Sequence, residues 1–496
     1  MIRTSTYPTI FKLSRITPLC KMNKNPLLPS SYRPINNLPC LEKIFEQYML
    51  DCLLPFLNEN EIIDINQHGG LKGHSTMTAM TSITHNLQKN WDNDLITATL
   101  TTDLTAAYDT VDSEILLQKL EFHGIRGNEL NLFKSYLKGR YQFVQIDTFN
   151  SYIKESLDCS IIQGGKLSGI LYGIYTNEIP SLYKLLYNDL LTKITGDSKL
   201  KENSKIIHEV ITYVDDSSST IGFKNVEIIR KYLTMYYKLL HNFHLINKLK
   251  INSEKTQLML SARPKYKEFI QDFNFKANKD TIKNKNNIKI LGVILQQDLG
   301  WDIEIGTICA NLHNRLNNIK KVAQYTNFIT RKQLIFSIVL GKLQYAMPLY
   351  TNINNNLITK IHRVIMTSAR GIIGNYCFKR PISYILNKTD ILDAKEFISF
   401  TTIKFIYNIS NNKIPLSINN LFLKHNKRNK NSVLRTIYKP KTSKMSKHLI
   451  YKGTQMFNMV PNEIKMKPKK LFSKKLKVYL QSNCMWDVGE TLDSYD

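Results

Sequence analysis

Asp215-Asp216 is the only adjacent pair of aspartates in the chain, and it stands between two apolar, β-prone segments, His208–Val214 and Ser219–Phe223. Such flanks predict two short strands joined by a tight turn that carries the aspartates. A hairpin tip holds two carboxylates rigidly with their oxygens on one side. Like charges that close repel, and the arrangement is costly unless a cation neutralises them. Hard, oxygen-only ligands of this kind suit Mg²⁺. By itself Tyr213-Val214-Asp215-Asp216 is equally an Asp-rich surface turn, so the rest of the chain must supply a third carboxylate, a nucleotide pocket and a nucleic-acid track.

A third carboxylate is present. Leu95–Leu104 is Thr-rich and β-branched, predicting a strand that ends on Asp103, after which Asp112-Ser113 caps a helix over Glu114–Phe122. A second strand-turn-helix unit is expected from Ser160 through Gln163-Gly164-Gly165 into Leu167–Tyr175, the glycines letting the backbone approach a flat ligand. Further upstream, a Pro-rich basic stretch (1–40) precedes helical spacing over Leu41–Phe56. Then comes a glycine-rich turn, Gln67–Thr76, and a second helix over Thr76–Trp91. That turn presents N–H groups to a phosphate, or is simply a turn with an N-cap. Residues 184–206 read as a loop inserted before the central hairpin. After it, Val226–Phe243 predicts a long amphipathic helix, Leu249–Leu260 a turn leading into a strand, and Ile288–Leu295 one strand. From about Trp301 the periodicity is helical, which places a domain boundary there. Lys424–Lys447 reads as a basic loop or arm before a last helical stretch ending near Ser482.

The nucleic-acid track is suggested by charge. Lys and Arg number 68 against 40 acids, a formal charge of +28, and a folded chain that basic points to a polyanionic partner. Part of the excess reflects a Lys-, Asn- and Ile-rich composition. Cys20, Cys40, Cys52, Cys159, Cys309, Cys377 and Cys484 lie far apart with no zinc-type spacing, as in reduced, intracellular thiols. No apolar run approaches the ~18 residues of a membrane helix. The acid-free first 41 residues have some of the character of an organelle presequence, but Pro8, Pro18, Pro26 and Pro29 spoil an amphipathic helix.

Seven stretches in one order carry a family resemblance: YRPINNLP at 32–39, QHGGLKGHST at 67–76, TTDLTAAYDTVDSEILLQKL at 101–120, IIQGGKLSGILYGIYTNEIP at 161–180, TYVDD at 212–216, LKINSEKTQLML at 249–260 and IKILGVILQQDLGW at 288–301. Together they resemble the reverse transcriptase of non-LTR (LINE, jockey-like) retrotransposons. The likeness is close over roughly 7–300 and weaker to the end. It implies an α+β right-hand polymerase with fingers (1–95, cut short at the N-terminus), an antiparallel-sheet palm (96–300), a helical thumb and connection (301–420), and a basic arm with a C-terminal helical segment (421–496).

By the same resemblance Asp103 and Asp215, supported by Asp216, hold two Mg²⁺ ions, with Mn²⁺ as the alternative. Tyr108 is implied to be the ring beneath the incoming sugar, with ordinary core packing as its competing role. Gln163 and Gly164 resemble the template-contacting turn, Lys255 the lysine that assists the leaving pyrophosphate, and Lys72 a phosphate contact in the fingers turn, where many relatives have arginine one residue earlier and this chain has Leu71. Thr105-Ala106-Ala107-Tyr108-Asp109, Ile162 and Gly169 also depart from the commonest pattern. These departures bear on triphosphate affinity, not on reaction type. The implied partners are an RNA template, a DNA primer, deoxynucleoside triphosphates and an endonuclease supplied by a missing N-terminal region or another protein, with no membrane and a site of action in nucleus or cytoplasm. An RNA-dependent RNA polymerase and a group II intron maturase share the palm, but Tyr108 and LGVILQQDLGW disfavour them. The alternative of another class is an inactive remnant that only binds RNA.

Overall fold

The computed structural model describes residues 4–21, 25–155, 161–186, 206–277, 280–374, 380–423 and 434–483. Among them, the first sheet pairs β1 (Leu13–Cys20) with β2 (Tyr32–Asn37) antiparallel and with β4 (Tyr141–Ile146) parallel. Prolines in both strands, Pro18 and Pro34, face each other across this pairing, which is why the Pro-rich stretch gives so weak a strand signal. The short strands β5 (Phe149–Asn150) and β6 (Lys154–Glu155) both pair with β4.

Helices α1 (Cys40–Glu59), α3 (Ser113–Phe122) and α4 (Gly127–Leu137) surround this region. A buried ion pair joins α1 to the turn between α4 and β4: Arg140 Nη2 lies 2.7 Å from Glu42 Oε1, with side chains 6% and 0% exposed. Arg140 also donates to the carbonyls of Tyr136 (3.1 Å) and Phe11 (3.3 Å), tying the N-terminal segment, α1 and the end of α4 into one block.

The second sheet, in order β7-β8-β3-β9, is antiparallel throughout: β3 is Ile96–Thr102, β7 Ile207–Tyr213, β8 Asp216–Phe223 and β9 Gln257–Ser261. Every residue of β8 after Asp216 is buried. That burial on both faces follows from α2 (Thr76–Asp92) on one side and α5 (Ser168–Tyr175) with α6 (Val226–Ile246) on the other. Local chemistry starts α2, α3 and α6. Ser75 and Thr78 form a reciprocal capping box on α2, Asp112 Oδ1 accepts from the N–H groups of Glu114 and Ile115, and Asn225 caps α6.

Two expectations need correcting. Residues 161–162, ahead of α5, lie in no strand, and 156–160 fall outside the described residues; Ile161 N–H is taken instead by the Tyr108 carbonyl at 2.9 Å. Ile288–Leu295 is not one strand but a hairpin, β12 (Asn287–Ile290) with β13 (Val293–Gln296); β10 (Asn274–Ala277) and β11 (Asp280–Lys283) form another before it. Leu291 (φ 47°) and Gly292 (φ 81°) form the turn between β12 and β13. An apolar residue at the turn conceals the reversal from a reading of hydrophobicity.

The β12–β13 hairpin belongs to a second core with α7 (Asp302–Val322), α8 (Asn355–Ile373), α9 (Ala394–Ser410), α10 (Leu449–Met459) and α11 (Lys469–Ser482). Helix α2 joins the two cores. One side of it packs on the sheet, and at its far end Asp92 Oδ2 accepts from Tyr438 Oη (2.7 Å) and Lys441 N–H (2.8 Å). Residues 434–447, the described part of the expected arm, are therefore anchored on α2, with Leu434 and Met445 buried. No helix among the described residues is long and apolar enough to cross a membrane.

Candidate active site

The register of the second sheet assembles the carboxylates. Tyr213 pairs with Asp216, leaving Val214-Asp215 as a two-residue turn, and Thr102 pairs with Ser217, so Asp103 emerges from β3 beside the hairpin tip. A 2.5 Å hydroxyl contact between Thr102 Oγ1 and Ser217 Oγ holds the two chains together just behind the carboxylates. Val214 carries φ 57° while Asp215 does not share a positive φ. That is the pattern of a II′ hairpin, where glycine is favoured first, and a non-glycine residue there stores on the order of 1–3 kcal/mol.

Asp103 is held from its other side by the segment before β9. Asn252 N–H donates to the Asp103 carbonyl (2.8 Å) and Thr105 N–H to the Lys250 carbonyl (2.9 Å). The turn that follows delivers Lys255, whose Nζ stands 2.6 Å from Asp103 Oδ2. All four charged groups, Asp103, Asp215, Asp216 and Lys255, line one open cleft of about 530 Å³ together with Arg33, Glu254 and Lys289.

Three acids in one cleft leave an electrostatic mark. Partial withdrawal from water, then repulsion from Asp215 and Asp103, pushes the Asp216 carboxyl up to about 6. Asp215 is also raised, first by burial and then by Asp103, with Lys255 and Arg33 pulling it down. A site that resists ionisation of Asp215 and Asp216, and that places a lysine ammonium on Asp103, has the donor chemistry of a cation site. Mg²⁺ is commonly held by one or two carboxylates together with substrate phosphates, so this donor set fits such an ion. Among the described residues no group of three or more His, Cys, Asp or Glu is arranged to hold a metal alone.

The other residues singled out in the sequence fall in three places. Tyr108 is half-buried and stacked on fully buried Tyr172, with ring centroids 5.3 Å apart and planes at 29°. Burial, and then Asp215, push its hydroxyl up to about 12, so it stays neutral. Gln163 reaches Asp109 Oδ1 at 3.1 Å, and its carbonyl accepts from Asn36 N–H of β2 at 3.1 Å. Gly164 (φ 112°) leaves only 3.0 Å between a would-be Cβ and the Asn36 carbonyl, so a side chain there would be strained twice over. Buried Glu46 holds the same turn through Lys166 N–H at 2.8 Å. Lys72 is exposed and is not among the residues lining the carboxylate cleft.

Several contributors escape a linear reading. Arg33, Glu254 and Lys289 enter the cleft from three separate elements, and Tyr172 backs Tyr108 from α5. Arg33 and Lys289 lie inside stretches already marked by their order, but nothing in their spacing assigns them to the cleft.

With this geometry in view, residues 21–295 match the family described as reverse transcriptase (RNA-dependent DNA polymerase). The chain is 27% identical over 187 residues to "Probable RNA-directed DNA polymerase from transposon BS" of Drosophila melanogaster, covering 36% of this chain and 20% of that protein. It is 25% identical over 376 residues to the RNA-directed DNA polymerase from mobile element jockey of the same species, covering 74% and 38%. Thus it spans well under half the length of these curated relatives. Among solved structures, a telomerase from Candida tropicalis bound to a fragment of telomeric RNA aligns with 80% of this chain and 62% of its own, at 13% identity and TM-score 0.40.

Proposed function

Because the chain belongs to the reverse transcriptase family, we propose that it is an RNA-directed DNA polymerase of a non-LTR retrotransposon, extending a DNA primer on an RNA template. The observation that carries this reading is the register that sets Asp103 beside Asp215 and Asp216 in a single cleft with Lys255. Reverse transcriptases use divalent metal ions. Two Mg²⁺ or Mn²⁺ ions, held by Asp103 and Asp215 with Asp216 alongside, would supply activation of the primer 3′-hydroxyl and neutralise the triphosphate. The residues of the chain itself do the rest. Lys255, paired with Asp103 at 2.6 Å, would give charge or a proton to the leaving pyrophosphate. Gln163 and Gly164, pinned to β2, offer a rigid turn to the template; Lys72, which lies outside the carboxylate cleft, would contact the triphosphate only as a mobile point charge on the fingers side.

In this layout residues 1–95 are fingers, 96–300 palm, 301–420 thumb and connection, and 421–496 the arm and terminal helical segment. The reaction takes place inside the cell, in nucleus and/or cytoplasm, and an endonuclease that cuts the DNA target is a further partner activity. Primer extension on an oligo(dT)/poly(rA) duplex tests the function. The expected result is deoxythymidine incorporation that needs added Mg²⁺ or Mn²⁺ and stops on chelation; duplex binding without incorporation would leave only the RNA-binding remnant.

Sugar choice follows from Tyr108, whose ring is braced by Tyr172 and would collide with a 2′-hydroxyl. Tyr108→Ala should raise the relative use of ribonucleotides by about tenfold, roughly 1.4 kcal/mol of discrimination. Side-by-side incorporation kinetics with unchanged discrimination would reduce Tyr108 to a packing residue.

A further inference from the structure

We propose, on the polymerase reading above, that Gln67 is a positioning residue that aims the Asp215 carboxylate by clamping the strained Val214 through its side-chain oxygen. Gln67 is 3% exposed. Its Oε1 accepts from two backbone N–H groups, Gly69 at 2.8 Å and Val214 at 3.2 Å, so one amide oxygen bridges the glycine-rich segment and the hairpin tip. The flanking backbone is sewn to β7: Thr212 N–H donates to the Asn66 carbonyl (3.0 Å), His68 N–H donates to the Thr212 carbonyl (2.8 Å), and Gln67 pairs with Thr212 in a parallel bridge.

The approach is close enough to require glycine. A Cβ on Gly69 would lie 2.5 Å from Val214 Cγ2 and 2.6 Å from Val214 N. Val214 itself, at φ 57°, adopts a conformation that β-branched residues avoid. Released from the clamp, it would relax toward negative φ, rotate the next peptide and swing Asp215 away from Asp103. Strain stored at the residue immediately before a cleft carboxylate, and held by a buried side chain from another element, is the kind of outlier that marks function. An amide suits this position better than a carboxylate, since it offers an acceptor without adding charge beside Asp103, Asp215 and Asp216.

The test compares Gln67→Met, which keeps length and apolar bulk but removes the acceptor, with Gln67→Met/Val214→Gly, where glycine takes positive φ without side-chain strain. Three readouts are taken: single-nucleotide incorporation, Mn²⁺ titration followed by electron paramagnetic resonance, and unfolding temperature. Gln67→Met should lower kcat by about 30-fold while KM for deoxynucleotide moves less than about threefold. Its Mn²⁺ affinity should fall about fivefold, and the double variant should recover about tenfold of the lost kcat together with the Mn²⁺ affinity. Gln67→Met with parental kcat and Mn²⁺ affinity overturns the clamp. So does a loss that accompanies a lower unfolding temperature and is not restored by Val214→Gly, since that marks general packing. A parent protein that binds Mn²⁺ without incorporating nucleotide removes the polymerase reading alone. The clamp is then decided by whether Gln67→Met weakens Mn²⁺ binding and Val214→Gly restores it.

Discussion

Asp103→Asn or Asp215→Asn should slow deoxynucleotide incorporation by at least about 10³-fold, on the order of 4 kcal/mol of barrier, with duplex binding near the parental value. Asparagine keeps the size of each side chain and the hydrogen bond between Asn252 N–H and the Asp103 carbonyl, which is a backbone contact. The hairpin register is also a backbone property, so the sheet should fold as before. What is lost is the negative charge that offsets a bound cation, and Lys255 would lose its 2.6 Å partner in Asp103→Asn only. Asp216→Asn should cost less, because that side chain is the most exposed of the three. Single-turnover incorporation and duplex binding measured on the same preparations check this. Asp215→Asn within about tenfold of the parent would end its assignment as a metal ligand.

Arg140→Met should destabilise the protein by about 3–5 kcal/mol, since it strands Glu42 as an uncompensated charge in the block formed by α1, α4 and the N-terminal segment. In the parent, burial already pushes the Glu42 carboxyl up, with Arg140 pulling it down. Removing Arg140 takes away the main cause that lowers it and leaves burial and Glu46 opposed only by the smaller effect of Tyr7, so the folded variant binds a proton at Glu42 more tightly than the unfolded chain does. The linkage sign is then clear: where the folded state holds the extra proton, stability falls as pH rises. The deficit should be smaller at pH 5 than at pH 7. Chemical denaturation at both pH values checks it, and Glu42→Gln in the Arg140→Met background should restore part of the loss. A deficit under about 1 kcal/mol at pH 7 would mean that water or a neighbour already compensates Glu42.

Local chemistry explains why much of the palm-like region is legible in one dimension. Helices over 76–92, 113–122, 168–175 and 226–246 have apolar spacing, and three of them have side-chain caps within the segment itself, as at Ser75, Asp112 and Asn225. The aspartate hairpin is legible because the turn residues break two β-prone runs. The first sheet is not legible, because its parallel β1–β4 pairing joins residues more than 120 positions apart and its strands contain proline. The β12–β13 turn is missed because Leu291 continues the apolar run into a left-handed backbone conformation that only the surrounding packing, including Tyr345 Oη on the Leu291 carbonyl, makes tolerable.

The candidate site divides along the same line. From the sequence alone come the identity of the acids, Asp103 at a strand end and Asp215-Asp216 at a turn, the order of the family stretches, and a basic charge suited to a polyanion. These are properties of residue type and short-range spacing, which local propensity and pattern carry. Only the tertiary structure decides that Lys255 meets Asp103, that Arg33 and Lys289 share the cleft, that Tyr172 braces Tyr108, and that Gln67 holds Val214. Each of those contacts spans at least 64 positions of chain or joins different sheets and helices. It exists because strand register and helix packing bring the elements together, and no periodicity within a single segment records that distance.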